Sequence, residues 1–162
     1  MAKKKKKDTR RKIELRFYQS GPLAWIKVKK GDEVKKGQAL AGLDEKLDKI
    51  DLDIALADYR RARAEFEKVA RKYPNPGNEE EKGIKEIAQA KLDSSVKKVE
   101  KYKYRQEKLT LISPVNGKVV DDSDLVAGMN ITPSGFPIII EEAKEKKEDK
   151  KVADQKDQTK KK

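Results

Sequence analysis

The chain has 162 residues, 43% of them charged and 35% hydrophobic, with a formal net charge of +12. That balance is too polar for one large core and fits an elongated molecule with much solvated helix. The absence of cysteine and histidine excludes a disulfide framework and Cys/His or Ser/His nucleophile chemistry, and it removes the commonest metal ligand.

The charge is concentrated at the ends. Residues 1–12 hold eight Lys/Arg against one acid, and residues 143–162 hold nine Lys against five acids, which leaves the body near neutral. Both ends, 1–12 and 143–162, are expected to be disordered charged tails. A basic body would point to nucleic acid; basic tails alone do so weakly, because they also serve as solubilising ends or contacts to anionic lipid. The Lys-rich start is not followed by the apolar run of a secretory signal. No stretch approaches the ~20 apolar residues of a membrane span. The chain as written is therefore expected to be soluble.

In chain order, Ile13, Leu15 and Phe17 alternate with Glu14 and Arg16, a strand period. Ser20-Gly21-Pro22 reads as a turn. Trp25, Ile26 and Val28 predict a second strand, Gly31-Asp32 a turn, and Ala39–Leu43 a third strand after Gly37. Asp44 is the expected helix N-cap. Leu52, Ala55, Tyr59, Ala62, Phe66, Val69 and Tyr73 then recur at alternating spacings of three and four, an a/d heptad pattern flanked by charge. Pro74-Asn75-Pro76-Gly77-Asn78 stops this helix. A second helix opens at Glu79, with Ile84, Ala88, Leu92, Ser95 or Val96, Val99, Tyr102 and Leu109 on its apolar side. With so short a loop the two helices must run antiparallel, each roughly 40 Å long at 1.5 Å per residue. Tyr59, Phe66, Tyr73 and Tyr102 are assigned to the hairpin core, and Trp25 is expected to be at least half buried in the β-sandwich. After the hairpin, Leu109–Ile112, Val119-Val120, Leu125–Ile131 and Phe136–Ile140 return to strand character, with Asn116-Gly117 as a turn between strands.

The β-segments before and after the hairpin repeat one order of elements. Gly21, Gly31, Val34, Gly37, Leu40 and Leu43 correspond to Gly117, Gly128, Ile131, Gly135, Ile138 and Ile140. Gly31, Gly37, Gly117, Gly128 and Gly135 are taken as structural corners. Neither half buries both faces of its short strands alone, so the two are expected to pack as a small pseudo-twofold β-sandwich.

The run GDEVKKGQALAGLD, then a helical hairpin, then LTLISPVNGKVV resembles the periplasmic adaptor proteins, also called membrane fusion proteins (HlyD-like), over about residues 20–142. The matching positions are Gly31, Val34, Gly37, Leu40 and Asp44, then Ser113, Pro114, Gly117, Val119, Gly128 and Gly135. The resemblance implies an α+β architecture: a biotinyl/lipoyl-like β-domain (barrel-sandwich hybrid) split into halves 13–44 and 109–142 around an antiparallel coiled-coil hairpin, 45–108, with its tip at 73–78. It implies a non-enzymatic adaptor of efflux, export or secretion systems, without cofactor. Such adaptors join a membrane transporter to an outer-membrane channel or serve export pumps of single-membrane cells, and they assemble as homo-oligomers in the cell envelope or periplasm. The tip residues Pro74, Asn75, Pro76, Gly77 and Asn78 are the candidate partner-binding site. Membrane association would then run through the basic tails or the partner. None of the 162 residues is expected to form the family's usual anchor or signal or its further β-barrel and membrane-proximal domains, and the tip departs from the Arg-Leu-Ser motif that many pump adaptors carry near it.

Two alternatives belong to other classes. In biotin- or lipoate-carrying domains the modified lysine sits on a tight turn joining the halves, and Lys46 stands near that junction. Its plainer role is that of a first-turn helix lysine. A nucleic-acid-associated protein rests only on the tails. The acids Asp44-Glu45 and Glu79-Glu80-Glu81 lie at predicted helix N-termini, where the dipole favours them. Asp121-Asp122-Ser123-Asp124 lacks the glycine and terminal glutamate of a calcium loop and is read as solvated. No metal site is assigned.

Overall fold

A computed structural model describes residues 10–144. Most of both expected tails lies outside the described residues. Within them, the amino-terminal tail ends sooner than expected: β1 (Lys12–Leu15) already pairs with β8 (Ile138–Glu142), and Arg11 O accepts the Glu142 N–H.

The eight strands form two four-stranded antiparallel sheets. One has the order β1-β8-β6-β3, with β3 at Glu33–Val34 and β6 at Gly117–Asp121. The other has the order β5-β4-β2-β7, from Thr110–Ile112, Ala39–Leu43, Gly21–Ile26 and Asn130–Ile131. Exchanging β1 with β5, β2 with β6, β3 with β7 and β4 with β8 maps one order onto the other. The repeat thus includes β1 and β5, whose equivalence the glycine spacing alone does not reveal. Each half also lends its two-residue strand to the other half's sheet: β3 pairs with β6, and β7 with β2.

The glycine corners make this exchange. Gly31 has φ +101° and Gly128 φ +93°, a region closed to most side chains. The Gly31 N–H donates to Val119 O at 2.8 Å, and the Gly128 N–H donates to Leu23 O at 2.7 Å. Val119 and Leu23 return the bond to Asp32 O and Met129 O. Each corner therefore docks on the central strand of the opposite half. Gly37 also has positive φ, +84°, and its N–H donates to Ser113 O.

The core lies between the sheets and is shared evenly. Seven of its buried residues come from Phe17 to Leu43 and seven from Leu109 to Ile140. Val34 and Ile131, 3% and 1% exposed, hold equivalent places on the two exchanged strands. Burying aliphatic groups of this size contributes about 1.5–3 kcal/mol each, and neither half supplies enough alone.

Two local readings are corrected. Pro22 lies inside β2 rather than in a turn: it pairs with Asn130, and its carbonyl accepts the Asp44 N–H. A strand tolerates proline where no ladder donor is needed. Asn116-Gly117 is not a tight hairpin turn, because β5 and β6 belong to different sheets. Asn116 instead accepts the Lys36 N–H on its side chain at 2.9 Å and the Ala143 N–H on its carbonyl. Gly117 is required by close approach: a Cβ there would stand 2.3 Å from Glu141 O.

Between the halves stand α1 (Lys46–Lys72) and α2 (Glu79–Glu107), packed as an antiparallel hairpin. Tyr59, Phe66, Tyr73 and Tyr102 are partly buried at its interface positions, while Ala55, Ala88 and Ser95 are fully buried where the helices approach. Among the described residues no helix is long and apolar enough to cross a membrane.

Candidate partner-docking site

The hairpin root fixes where the tip points. Leu43 N–H donates to Leu109 O, so the chain leaving the β-domain is bonded to the chain re-entering it. The N-cap position of α1 is Glu45 and makes no side-chain cap. Asp44, the expected N-cap, reaches forward instead and accepts the Lys46 N–H at 2.9 Å. Its carboxylate thus still satisfies an orphan donor of the first turn.

A polar cluster that the sequence did not suggest completes the root. Asp48 is buried, and its carboxylate accepts from Arg105 of α2 at 3.3 Å and from Gln19 of the β1–β2 loop at 3.3 and 3.4 Å. Gln19 Oε1 in turn accepts from Arg105 Nε. The guanidinium also lies over the Tyr102 ring, and Tyr18 meets Tyr104 edge-on with centroids 5.8 Å apart. One carboxylate therefore ties both helices to the β-domain. The available signal was Asp48 itself, a charge one step below Leu52 in the apolar register.

At the far end, α1 closes with the Tyr73 N–H donating to Val69 O. Asn78 caps α2, its Oδ1 accepting the Glu81 N–H at 2.9 Å. Glu81 reaches back to accept the Gly77 N–H at 2.8 Å, close to the reciprocal arrangement of a capping box. Lys85 Nζ donates to Pro74 O at 3.4 Å. Lys72 points along the Tyr73 ring, and its hydrogen bond to that residue holds its pKa above the usual lysine value. The loop is therefore shaped by its own backbone and by Glu81, leaving Pro74, Asn75, Gly77 and Asn78 exposed and Pro76 half-buried. Gly77 has no positive φ, and a Cβ there would make only ordinary contact with Glu81. Packing thus does not require glycine at position 77.

Lys46 is exposed in the first turn of a 27-residue helix. A carrier lysine needs a protruding two-strand turn, and the chain here has none. Two of the three acids Asp121, Asp122 and Asp124 are engaged by backbone: Asp121 and Asp122 accept the N–H groups of Ser123 and Asp124, and Asp122 also accepts the Lys30 N–H. Among the described residues no group of His, Cys, Asp or Glu side chains is arranged to hold a metal ion.

A β-domain of two interlocked halves, opened at one corner into a helical hairpin, has counterparts among solved structures. The chain has the fold of the membrane fusion proteins. A Bacteroides eggerthii protein assigned to efflux transport matches with TM-score 0.74 and 19% identity, over 83% of this chain and 40% of its own. A MacA-MexA chimera carrying the Pseudomonas aeruginosa MexA α-hairpin matches with TM-score 0.69 and 20% identity, over 82% and 48%. The membrane fusion protein Spr0693 of Streptococcus pneumoniae matches with TM-score 0.60 and 16% identity, over 83% and 64%. This chain therefore spans roughly two-fifths to two-thirds of the length of these adaptor-fold proteins. No family model and no curated relative matches it by sequence.

Proposed function

We propose that this chain is a non-enzymatic adaptor that presents its hairpin tip, Pro74–Asn78, to a protein partner in an efflux or export assembly of the cell envelope. The observation that carries this reading is a hairpin tied to the β-domain through Asp48 and ending in a loop in which Pro74, Asn75, Gly77 and Asn78 are exposed. The adaptor fold supports it, since proteins of this architecture include efflux and membrane fusion proteins. By the same analogy the partner is a membrane transporter, an outer-membrane channel or both, and the adaptor acts as a homo-oligomer. Lys46 carries no cofactor in this reading.

The test replaces residues 74–78 with a loop of the same length built from Gly, Ser and Asn, keeping Asn at 78 so that the α2 cap survives. Thermal stability is expected to stay within about 1 kcal/mol of the parent, as for surface loop changes that spare caps. Recovery of envelope transport proteins on the immobilised hairpin chain is expected to disappear. Unchanged recovery with the grafted loop would place docking elsewhere.

A further inference from the structure

The two halves of the β-domain are equivalent in backbone but not in charge. The sheet β5-β4-β2-β7 has no charged residue in any of its strands. The sheet β1-β8-β6-β3 has seven. The contrast is sharpest at the outer edges, where β5 and β1 are equivalent strands. Thr110 pairs with Gly42 as Glu14 pairs with Ile139, so Thr110 and Ile112 hold the places of Glu14 and Arg16. Glu14 and Arg16 form an ion pair along the β1 edge, and Arg16 also donates to Ser134 O. Charge on an edge strand opposes pairing with another chain. The β5 edge carries no such guard. At three residues against four, it is no better protected by shortness.

The backbone of β5 is turned for pairing. Leu109 O accepts the Leu43 N–H, and Ser113 exchanges bonds with Gly37 and Gln38, so alternate residues from Leu109 to Ser113 face β4. In an antiparallel ladder the residues between them aim their N–H and C=O the other way. Those of Thr110 and Ile112 therefore point out of the sheet edge, where no described strand meets them. The outer face behind this edge is apolar. Ile112 is 48% exposed. Trp25 covers Gly42 where the other sheet sets Asp121 beside Ile139. Pro22 stands opposite Asn130 where Lys118 stands opposite Glu33. Cations mark both ends of the strand: Lys108 precedes it, its ammonium over the Tyr104 ring, and the Gly37–Ser113 bond brings Lys36 to its far end.

We propose that the β5 edge takes up an extended segment of a second protein, which adds a fifth strand beside Thr110–Ile112 and lays an apolar side chain against Ile112. In strand addition the main-chain hydrogen bonds supply affinity, and the alternate side chains supply selectivity. Lys36 and Lys108 suit a segment with acidic residues at its two ends. A second copy of this chain fits less well, because antiparallel β5 pairing sets Lys108 of one chain beside Lys36 of the other. The edge lies in the β-domain and shares no residue with the hairpin tip, so it goes beyond the docking proposed there.

The test is an NMR titration of the isotope-labelled full chain with an end-blocked peptide, Glu-Val-Thr-Val-Thr-Val-Asp. A generic strand is a fair probe because the main chain makes the bonds. Saturable shifts of the Thr110 and Ile112 amides are expected, with slowed hydrogen exchange at both, while the Lys12 and Glu14 amides stay in place. Ile112→Lys puts on β5 the kind of charge that guards β1. It is expected to weaken binding by about tenfold or more, with an unchanged melting temperature because the side chain is half exposed. The same peptide N-methylated at every residue is expected not to bind. The variant with the grafted tip is expected to bind the peptide as the parent does, so the two proposals fail separately. Absence of saturable binding, equal shifts along β1, binding by the N-methylated peptide, or full affinity in Ile112→Lys overturns the proposal. So do Thr110 and Ile112 shifts that appear without peptide, either on concentrating the chain, which would assign the edge to a second copy, or on adding phosphatidylglycerol vesicles, which would assign it to lipid.

Discussion

Asp48 is where the hairpin's direction is decided, and its removal has a calculable consequence. Asp48→Ala deletes the acceptor shared by Arg105 and Gln19. Hydrogen bonds to a charged group contribute about 1.5–3 kcal/mol. The 3.3–3.4 Å lengths place these bonds at the weak end, and a guanidinium side chain 35% exposed recovers part of its hydration once its partner is gone. The net cost is about 2 kcal/mol rather than the ~3–5 kcal/mol of a fully buried broken pair. For a chain of this size that lowers the Tm by roughly 4–8 °C. The assay is a double-mutant cycle by thermal and urea unfolding. Arg105→Met added to Asp48→Ala is expected to cost little more than Asp48→Ala alone, giving a coupling of about 1 kcal/mol or more. Because the chain lacks cysteine, spin labels at Asn75→Cys and Val126→Cys report the tip-to-domain distance directly. That distribution is expected to broaden in Asp48→Ala and to stay narrow in the parent. Strictly additive stability losses together with an unchanged distribution would refute the idea that one carboxylate locks hairpin to β-domain.

The glycine corners separate strain from collision. Gly37→Val and Gly128→Val place a β-branched residue at positive φ in otherwise open space and should each cost about 1–3 kcal/mol in chemical denaturation, with Gly37→Asn costing clearly less. Gly117→Ala should match or exceed that loss through contact with the Glu141 carbonyl, about 3 kcal/mol as severe overpacking. Gly42→Ala should displace Trp25, whose ring atoms lie 2.5 Å from the new Cβ; the only tryptophan then moves toward solvent and its emission shifts to the red. Intact-mass analysis should find no biotinyl or lipoyl addition on Lys46 in the native host, and a stoichiometric addition would restore the carrier reading.

Much of this architecture was legible in the residues. A three-four apolar spacing along α1 and α2, broken by two prolines and a glycine, specifies an antiparallel hairpin wherever it occurs, because both helix period and loop length are local. Glycine spacing on either side revealed a duplicated β-unit, and Gly31 and Gly128 are its left-handed corners; Gly135, expected to be another, has no positive φ, which falls instead on Phe136 (+52°) next to it. The tip was legible as a loop, since proline and glycine there end both helices. What the string of residues left open depends on contacts between distant positions. Asn116-Gly117 has the composition of a tight turn, yet its neighbours are claimed by different sheets. Pro22 has the composition of a break, yet its carbonyl is needed by Asp44. Asp48 looks like one more surface acid until Arg105, 57 positions later, and Gln19 close around it. Local rules thus determined the elements and their order. Tertiary structure alone decided that the halves exchange their shortest strands, that a buried carboxylate roots the hairpin, and that Leu47, Ile50 and Ile54 of α1 stay exposed among the described residues.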